Sequence, residues 1–465
     1  MRFNSNGFSR LSTWVAGILC IVLWTAAGPA FGAGAETLYR ALAAAYNNNP
    51  TLQAERARQR GTDEQVSQAI SGWRPTIIAD GDVGREDVDA SPSTADSVTD
   101  PANFSLTLNQ PVFRGFQTVN STAQAEKNVL AGQQTLLNVE QTVFLDGVTA
   151  YMNVIRDLRI VVLRKQNVNN LNEQLKGTQA RFNVGELTQT DVAQSRARLS
   201  QARSDLATAR ANLGASRADF VRVVGHSPGS LKFPKSIRRK LPKTVQGAIA
   251  MAEQHNPQVM SSRYTEEASS HAVDVAVGDL LPTADIQAAY SHREQPSSFI
   301  RNTDTMSITG RVRIPLYQSG QQYSEVREAK QVNHQRKQQV LETIRLVRDE
   351  VVTAWNEWVA ARESIRSDSD QVKANELAYR GIQQEALVGS RTILDVLDTN
   401  RDLIESKVLL IQSRRNEVVA SYRLLAAVGG LTAHRLNLPV QIYDPSLNLE
   451  HVRYKFFGIG IDESQ

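Results

Sequence analysis

The sequence predicts a mostly α-helical, internally duplicated chain in which long antiparallel coiled-coil helices are joined to four short strands. Three observations predict it. Motifs recur at a fixed offset of just over two hundred residues. Apolar residues repeat every seventh position through two long stretches that contain no proline. Two pairs of short segments alternate apolar and polar residues, the period of a strand.

The chain has 465 residues, 41% hydrophobic, 22% charged and 6% aromatic, with 27 Gly and 15 Pro. That is length for about three ordinary domains, and a composition too ordinary for a collagen-like or disordered chain. The mean hydropathy of −0.34 argues against a multi-helix integral membrane protein. The first 35 residues read as a secretory signal. Arg2 and Arg10 form its basic region, an apolar run extends from Leu11 to Ala27, and Ala33-Gly34-Ala35 offers a small-x-small cleavage site before Glu36. Cys20, the one cysteine, follows Leu19 where lipid attachment wants a small residue, and reads as part of the apolar run. A mature chain without cysteine excludes a disulfide scaffold, thiol catalysis and cysteine–zinc sites. The net charge is +4, of which Arg2 and Arg10 supply two. The remaining balance is nearly neutral and gives no basic patch for nucleic acid.

The duplication sets the domain plan. Thr37-Leu38, Asn49-Pro50 and Pro75-Thr76 recur 207 positions later as Thr244-Val245, Asn256-Pro257 and Pro282-Thr283. Pro111, Val184-Gly185, Asp191-Val192 and Val224-Gly225 recur 204 positions later as Pro315, Val388-Gly389, Asp395-Val396 and Val428-Gly429. The offset changes across the polar loops 86–103 and 293–305. The expected plan is therefore a signal at 1–35, a first repeat at 36–225, a connector at 226–243, a second repeat at 244–429 and a tail at 430–465.

Within each repeat a short helix (37–48 and 244–255) ends at Asn-Pro, because proline is tolerated only in a helix's first turn. A second helix follows (51–73 and 258–280) and is stopped by Pro75 and Pro282. Strand pairs come next, 76–86 with 104–110 and 283–291 with 308–314. Phe104, Leu106 and Leu108 alternate with Ser105, Thr107 and Asn109; Ile308, Val312 and Ile314 alternate with Thr309, Arg311 and Arg313. Long helices are expected over 116–182 and 320–386, each roughly 100 Å at 1.5 Å per residue. Val184-Gly185 and Val388-Gly389 end them, glycine suiting the left-handed position beyond a helix. Final helices run 190–224 and 392–428, capped by Thr188 or Thr190 and by Ser390 or Thr392. Heptads such as Val192, Leu199, Leu206, Leu213, Phe220 impose a left-handed supercoil. Helices this long do not fit a compact domain; they make a rod or a tube.

The strands admit two readings: a small soluble sheet packed on the helices, or a share of a transmembrane barrel. Nine residues suit a tilted spanning strand, but four strands cannot close a barrel, and open edges in lipid leave backbone groups unpaired. A barrel therefore requires several chains.

The duplicated helix–hairpin–helix–helix unit, the Asn-Pro boundaries and the prolines at each strand-to-helix junction resemble the TolC family of outer-membrane channel proteins. The sharpest matches are Arg181-Phe182-Asn183-Val184-Gly185 with Thr190-Asp191-Val192, and the stretch Val388-Gly389 through Leu397-Asp398. The resemblance implies a homotrimer with a trimeric α-barrel and a shared twelve-stranded transmembrane β-barrel in the outer membrane, Pro111 and Pro315 marking the barrel-helix junctions. It implies a periplasmic adaptor and an inner-membrane transporter as partners in efflux or type I secretion, no cofactor and no metal. It also implies that Asp191 and Arg391 belong to the periplasmic gate. A tyrosine expected at Ala386 is missing, so one gate bond must be made otherwise. Asp395 and Asp398 match an acidic, cation-selective constriction; their i,i+3 spacing puts both carboxylates on one helix face, and three copies would form rings.

No enzyme is expected: the seven histidines show no metal spacing, and no phosphate loop or nucleophile motif is present. The rival reading is a periplasmic adaptor or coiled-coil scaffold without a pore, which would carry one helical hairpin between β-rich domains rather than a duplicated strand pair feeding four long helices.

Overall fold

The computed structural model describes residues 36–88, 97–297 and 299–461. The expected signal at 1–35, with Cys20, lies outside the described residues. The first repeat contains α1 (Leu38–Asn48), α2 (Pro50–Ile70), β1 (Thr76–Val83), two short strands β2 (Glu86–Val88) and β3 (Ser97–Thr99), β4 (Ala102–Arg114), α3 (Gln117–Asn183) and α4 (Gln189–Val224). The second contains α5 (Val245–His255), α6 (Pro257–Gly278), β5 (Thr283–Ser297), β6 (Ile300–Arg313), α7 (Gln321–Leu387) and α8 (Ile393–Ala427). The tail adds α9 (Ala433–Leu436) and α10 (Pro445–Arg453).

The long helices α3 and α7 each have 67 residues. Next to the sheet they alternate with the shorter helices α2 and α6, of 21 and 22 residues, in the order α2–α3–α6–α7. Further away, α4 winds back along α3 and α8 along α7, with α3 also against α8. Every member of the heptad Val192, Leu199, Leu206, Leu213, Phe220 is buried. Heptad positions on α3 behave differently. Phe144 and Tyr151 are buried, whereas Leu158 of the same series is exposed, because an isolated protomer covers that face only where α1 packs on it.

One large core forms a belt at mid-length. Leu42 and Tyr46 of α1, Phe144 and Tyr151 of α3, Phe220 of α4, Val351 of α7 and Leu424 of α8 meet there. Tyr151 Oη shares its one proton between the carbonyls of Glu36 (2.8 Å) and Lys232 (2.6 Å) and accepts from the Lys232 amide (3.1 Å), tying the connector to the belt. The Asn-Pro pairs have a second task. Asn49 caps α2 by accepting from the Thr51 amide (3.0 Å), while its Nδ2 donates to the Val223 carbonyl at the end of α4 (2.9 Å). Asn256 repeats this, accepting from the Gln258 amide (2.8 Å) and donating to the Ala427 carbonyl at the end of α8 (2.9 Å). One amide thus satisfies an orphan donor at one helix start and an orphan acceptor at another helix end.

The sheet is antiparallel throughout, in the order β1-β4-β5-β6. Its register makes it two-faced. Ile77, Leu108, Ala288 and Ile308 stand opposite one another on one face, followed by Ala79, Leu106, Tyr290 and Met306. The other face carries Asp80, Ser105, Ser291 and Thr305 in one row and Asn109, Gln287 and Thr309 in another. The edge strands β1 and β6 are exposed along their whole length.

Three expectations about the strands need correction. Residues 293–305 do not form a loop, because β5 and β6 continue as a hairpin to Ser297 and from Ile300. Their outer part is polar on both faces, so no alternation marks it. The 86–103 segment includes the β2–β3 pair. Pro111 lies within β4, at a bulge between Pro111 and Phe113, where its missing N–H disturbs little; Pro315 follows the end of β6. The actual turns into the long helices are pairs of left-handed residues, Gly115-Phe116 and Ser319-Gly320, at equivalent places in the two repeats. Gly115 admits no side chain there, since a Cβ would stand 2.4 Å from the Gly278 carbonyl oxygen.

Candidate functional site

The end of the protomer remote from the sheet is built from two helical turns, 184–188 and 388–392. Each has the same construction. Gly185 and Gly389 take φ of 81°, which lets the next amide reach back: Glu186 N to the Arg181 carbonyl (2.9 Å), and Ser390 N to the Glu385 carbonyl (3.0 Å). Thr188 and Thr392 then start the return helices with capping boxes. The Asp191 carboxylate accepts from the Thr188 amide (2.9 Å) and hydroxyl (2.8 Å), and Asp395 does the same with Thr392 (3.0 and 2.8 Å). The backbone amide of Thr392, followed by its hydroxyl, holds the Asp395 carboxyl below the usual carboxylate range.

An ion pair closes each turn, with the charges exchanged between repeats. Arg181 Nε donates to Glu186 (2.9 Å), and Arg391 Nε donates to Glu385 (2.9 Å). Arg181 and Glu385 occupy equivalent positions in the two repeats. Glu385 and, more weakly, Asp395 raise the Arg391 pKa.

Among the described residues no hydrogen bond or ion pair joins Asp191 to Arg391 within one protomer. Each is engaged within its own hairpin. The expected acidic pair is also unequal. Asp395 spends Oδ2 on its cap, whereas Asp398 accepts a hydrogen bond from Arg198 Nη2 of α4 (2.6 Å), with Arg401 at 3.7 Å. Arg198–Asp398 links the α3–α4 hairpin to the α7–α8 hairpin, beside a groove of about 390 Å³ between α3, α4 and α8. Further from the tip, Asn400 Nδ2 donates to Asn167 Oδ1 (2.9 Å) in a buried contact between α8 and α3. Ala386, where a tyrosine was expected, is buried. Sequence reasoning missed Arg198, Arg401 and Glu385. The exchange of Arg181 for Glu385 under the 204-residue offset was the one available signal.

An open two-faced sheet above, and a tube wall of helices with charged tips below, define a subunit of a membrane duct. The comparisons agree. The outer membrane efflux protein family model matches residues 41–226 and 248–430. The outer membrane efflux protein BepC of Brucella suis is 37% identical over 425 residues, 91% of this chain and 92% of that protein. The outer membrane protein TolC of Escherichia coli is 25% identical, over 86% and 84% of the two chains. The Campylobacter jejuni CmeC outer membrane channel shares the fold with a TM-score of 0.77 over 90% of this chain and 89% of that one, at 15% identity. The chain belongs to the outer membrane efflux protein family.

Proposed function

We propose that three copies of this chain form a passive exit duct across the outer membrane and into the periplasm, the last component of a tripartite export system. The observation that carries this reading is the bare edge at each side of a two-faced sheet. β1 and β6 run in opposite directions, so β6 of one protomer meets β1 of the next as another antiparallel pair. Three protomers then close twelve strands with no edge left in lipid. The apolar row through Leu108 and Ile308 faces lipid, and the polar row through Asn109 and Thr309 faces the lumen.

The helical tips supply the gate. Asp191 and Arg391 act between hairpins of the assembled trimer. Within each protomer the Arg198–Asp398 pair is the latch that stands in for the missing tyrosine. Asp395, with Oδ1 turned from its cap, and Asp398 form the cation-selective ring. The exposed Val184 and Val388 at the tips meet a periplasmic adaptor, which connects the duct to an inner-membrane transporter. No step requires catalysis or a cofactor. The reading predicts an outer-membrane protein that runs as a heat-labile trimer and conducts ions in planar bilayers. A soluble monomer without conductance would favour the scaffold reading and overturn this one.

A further inference from the structure

The tail after Leu431 takes a definite course over the helices. Tyr443 N donates to Tyr46 Oη (2.9 Å) at the belt. α10 then climbs along the groove between α2 and α3. Asn448 Nδ2 donates to the buried Asp63 (2.8 Å), Leu449 packs on Val66, Ala125 and Val129, and Arg453 pairs with Glu126. Beyond it, the Lys455 carbonyl accepts from Arg74 Nη1 (3.0 Å), and the Arg74 guanidinium lies 4.3 Å from the Phe456 ring centroid. Arg74 stands two residues before β1. The tail therefore arrives at the foot of the sheet.

What it presents there is apolar and uncovered. Phe457 is 91% exposed, Ile459 104% and Ile461 79%. Lys455 Nζ reaches the Gly460 carbonyl (2.7 Å), curling the segment into a compact knob. Trp73, next to Arg74, and Phe116, just beyond the end of β4, are also exposed, and Gln110 Nε2 donates to the Trp73 carbonyl (2.9 Å). In the proposed trimer the neighbours would meet the free edges of α2 and α7; α10 packs chiefly on α2 and reaches α3 through Leu449 and Arg453. Arg74 and Lys455 place positive charge beside the aromatic rings, the arrangement that suits a lipid interface with anionic headgroups.

We infer that Tyr454–Ile461 is a membrane-contact knob, seated in the periplasmic leaflet of the outer membrane at the foot of the barrel. The inference rests on the transmembrane reading of the sheet. It is tested with spin-labelled trimers in vesicles containing phosphatidylethanolamine and phosphatidylglycerol. With Cys20, the one cysteine in the sequence, replaced by serine, Phe457→Cys and Ile459→Cys each give a single label at an exposed position. Ile308→Cys reports the lipid face of the barrel, and Val184→Cys reports the aqueous tip. Labels on Phe457→Cys and Ile459→Cys should collide severalfold more with lipid-dissolved oxygen than with an aqueous nickel chelate, as the Ile308→Cys label does. Nickel access equal to that of Val184→Cys overturns the inference, and so does shielding from both agents, which means protein covers the knob. If the Ile308→Cys label is also accessible to nickel, the transmembrane reading itself fails.

Discussion

Arg198→Ala should loosen the closed tip. The Arg198–Asp398 bond is 2.6 Å long and joins two hairpins, with side chains 33% and 40% exposed. A pair this exposed is screened by solvent, and such pairs contribute about 0.2–1 kcal/mol. The short charge-assisted geometry puts this one near the upper end. Three symmetric copies released together amount to about 3 kcal/mol, a shift on the order of a hundredfold in the ratio of open to closed states. Single-channel recording in planar bilayers measures this directly, as larger conductance or longer open times. Raising the salt concentration should act on wild type in the same direction. Arg198→Lys, which keeps the charge, should stay closer to wild type than Arg198→Ala. Wild-type conductance and open time in Arg198→Ala would refute the latch.

Three further outcomes are expected. Asn256→Ala removes the α6 cap and the bond to the Ala427 carbonyl in a buried site, which should destabilise the protein by about 2–4 kcal/mol; an unchanged melting temperature of the detergent-solubilised trimer would contradict this. Burial pushes the Glu140 carboxyl up to about 7, against the Ala433 amide that bonds it. The folded state then holds a proton that the unfolded state has released, so stability falls as pH rises from about 4.5 through 7, by about 3 kcal/mol in all. Glu140→Gln should abolish that slope in thermal unfolding followed from pH 5 to 8, because its amide oxygen can still accept from Ala433. Asp395→Ala with Asp398→Ala should weaken block by multivalent cations in bilayers; block equal to wild type would refute the ring.

Much of the architecture could be read along the chain because it depends on neighbours in sequence. Proline can start a helix but not continue one, so Asn49-Pro50 and Asn256-Pro257 marked boundaries to within a residue or two. Glycine at a left-handed position ended α3 and α7. Hydroxyl residues at the starts of α4 and α8 were legible as caps, but the choice of Thr188 over Thr190 and of Thr392 over Ser390, with Asp191 and Asp395 completing the capping boxes, came from the structure. The strands were found only where one face is apolar, and their polar continuation to Ser297 was not.

The site required distances that periodicity does not carry. Arg198 and Asp398 are 200 residues apart, and they meet because two supercoiled hairpins pack in one particular register. The same holds for Asn256 reaching Ala427 and for α10 lying across α2 and α3. The sequence by itself determined the repeats, the helix limits and the two-faced strands, since each is decided by the backbone preferences and solvation of a few adjacent residues. Only the tertiary structure decided which charges are paired, which carboxylates cap their own helix and where the tail runs, because these depend on helix rotation and axial register, which many weak apolar contacts set together.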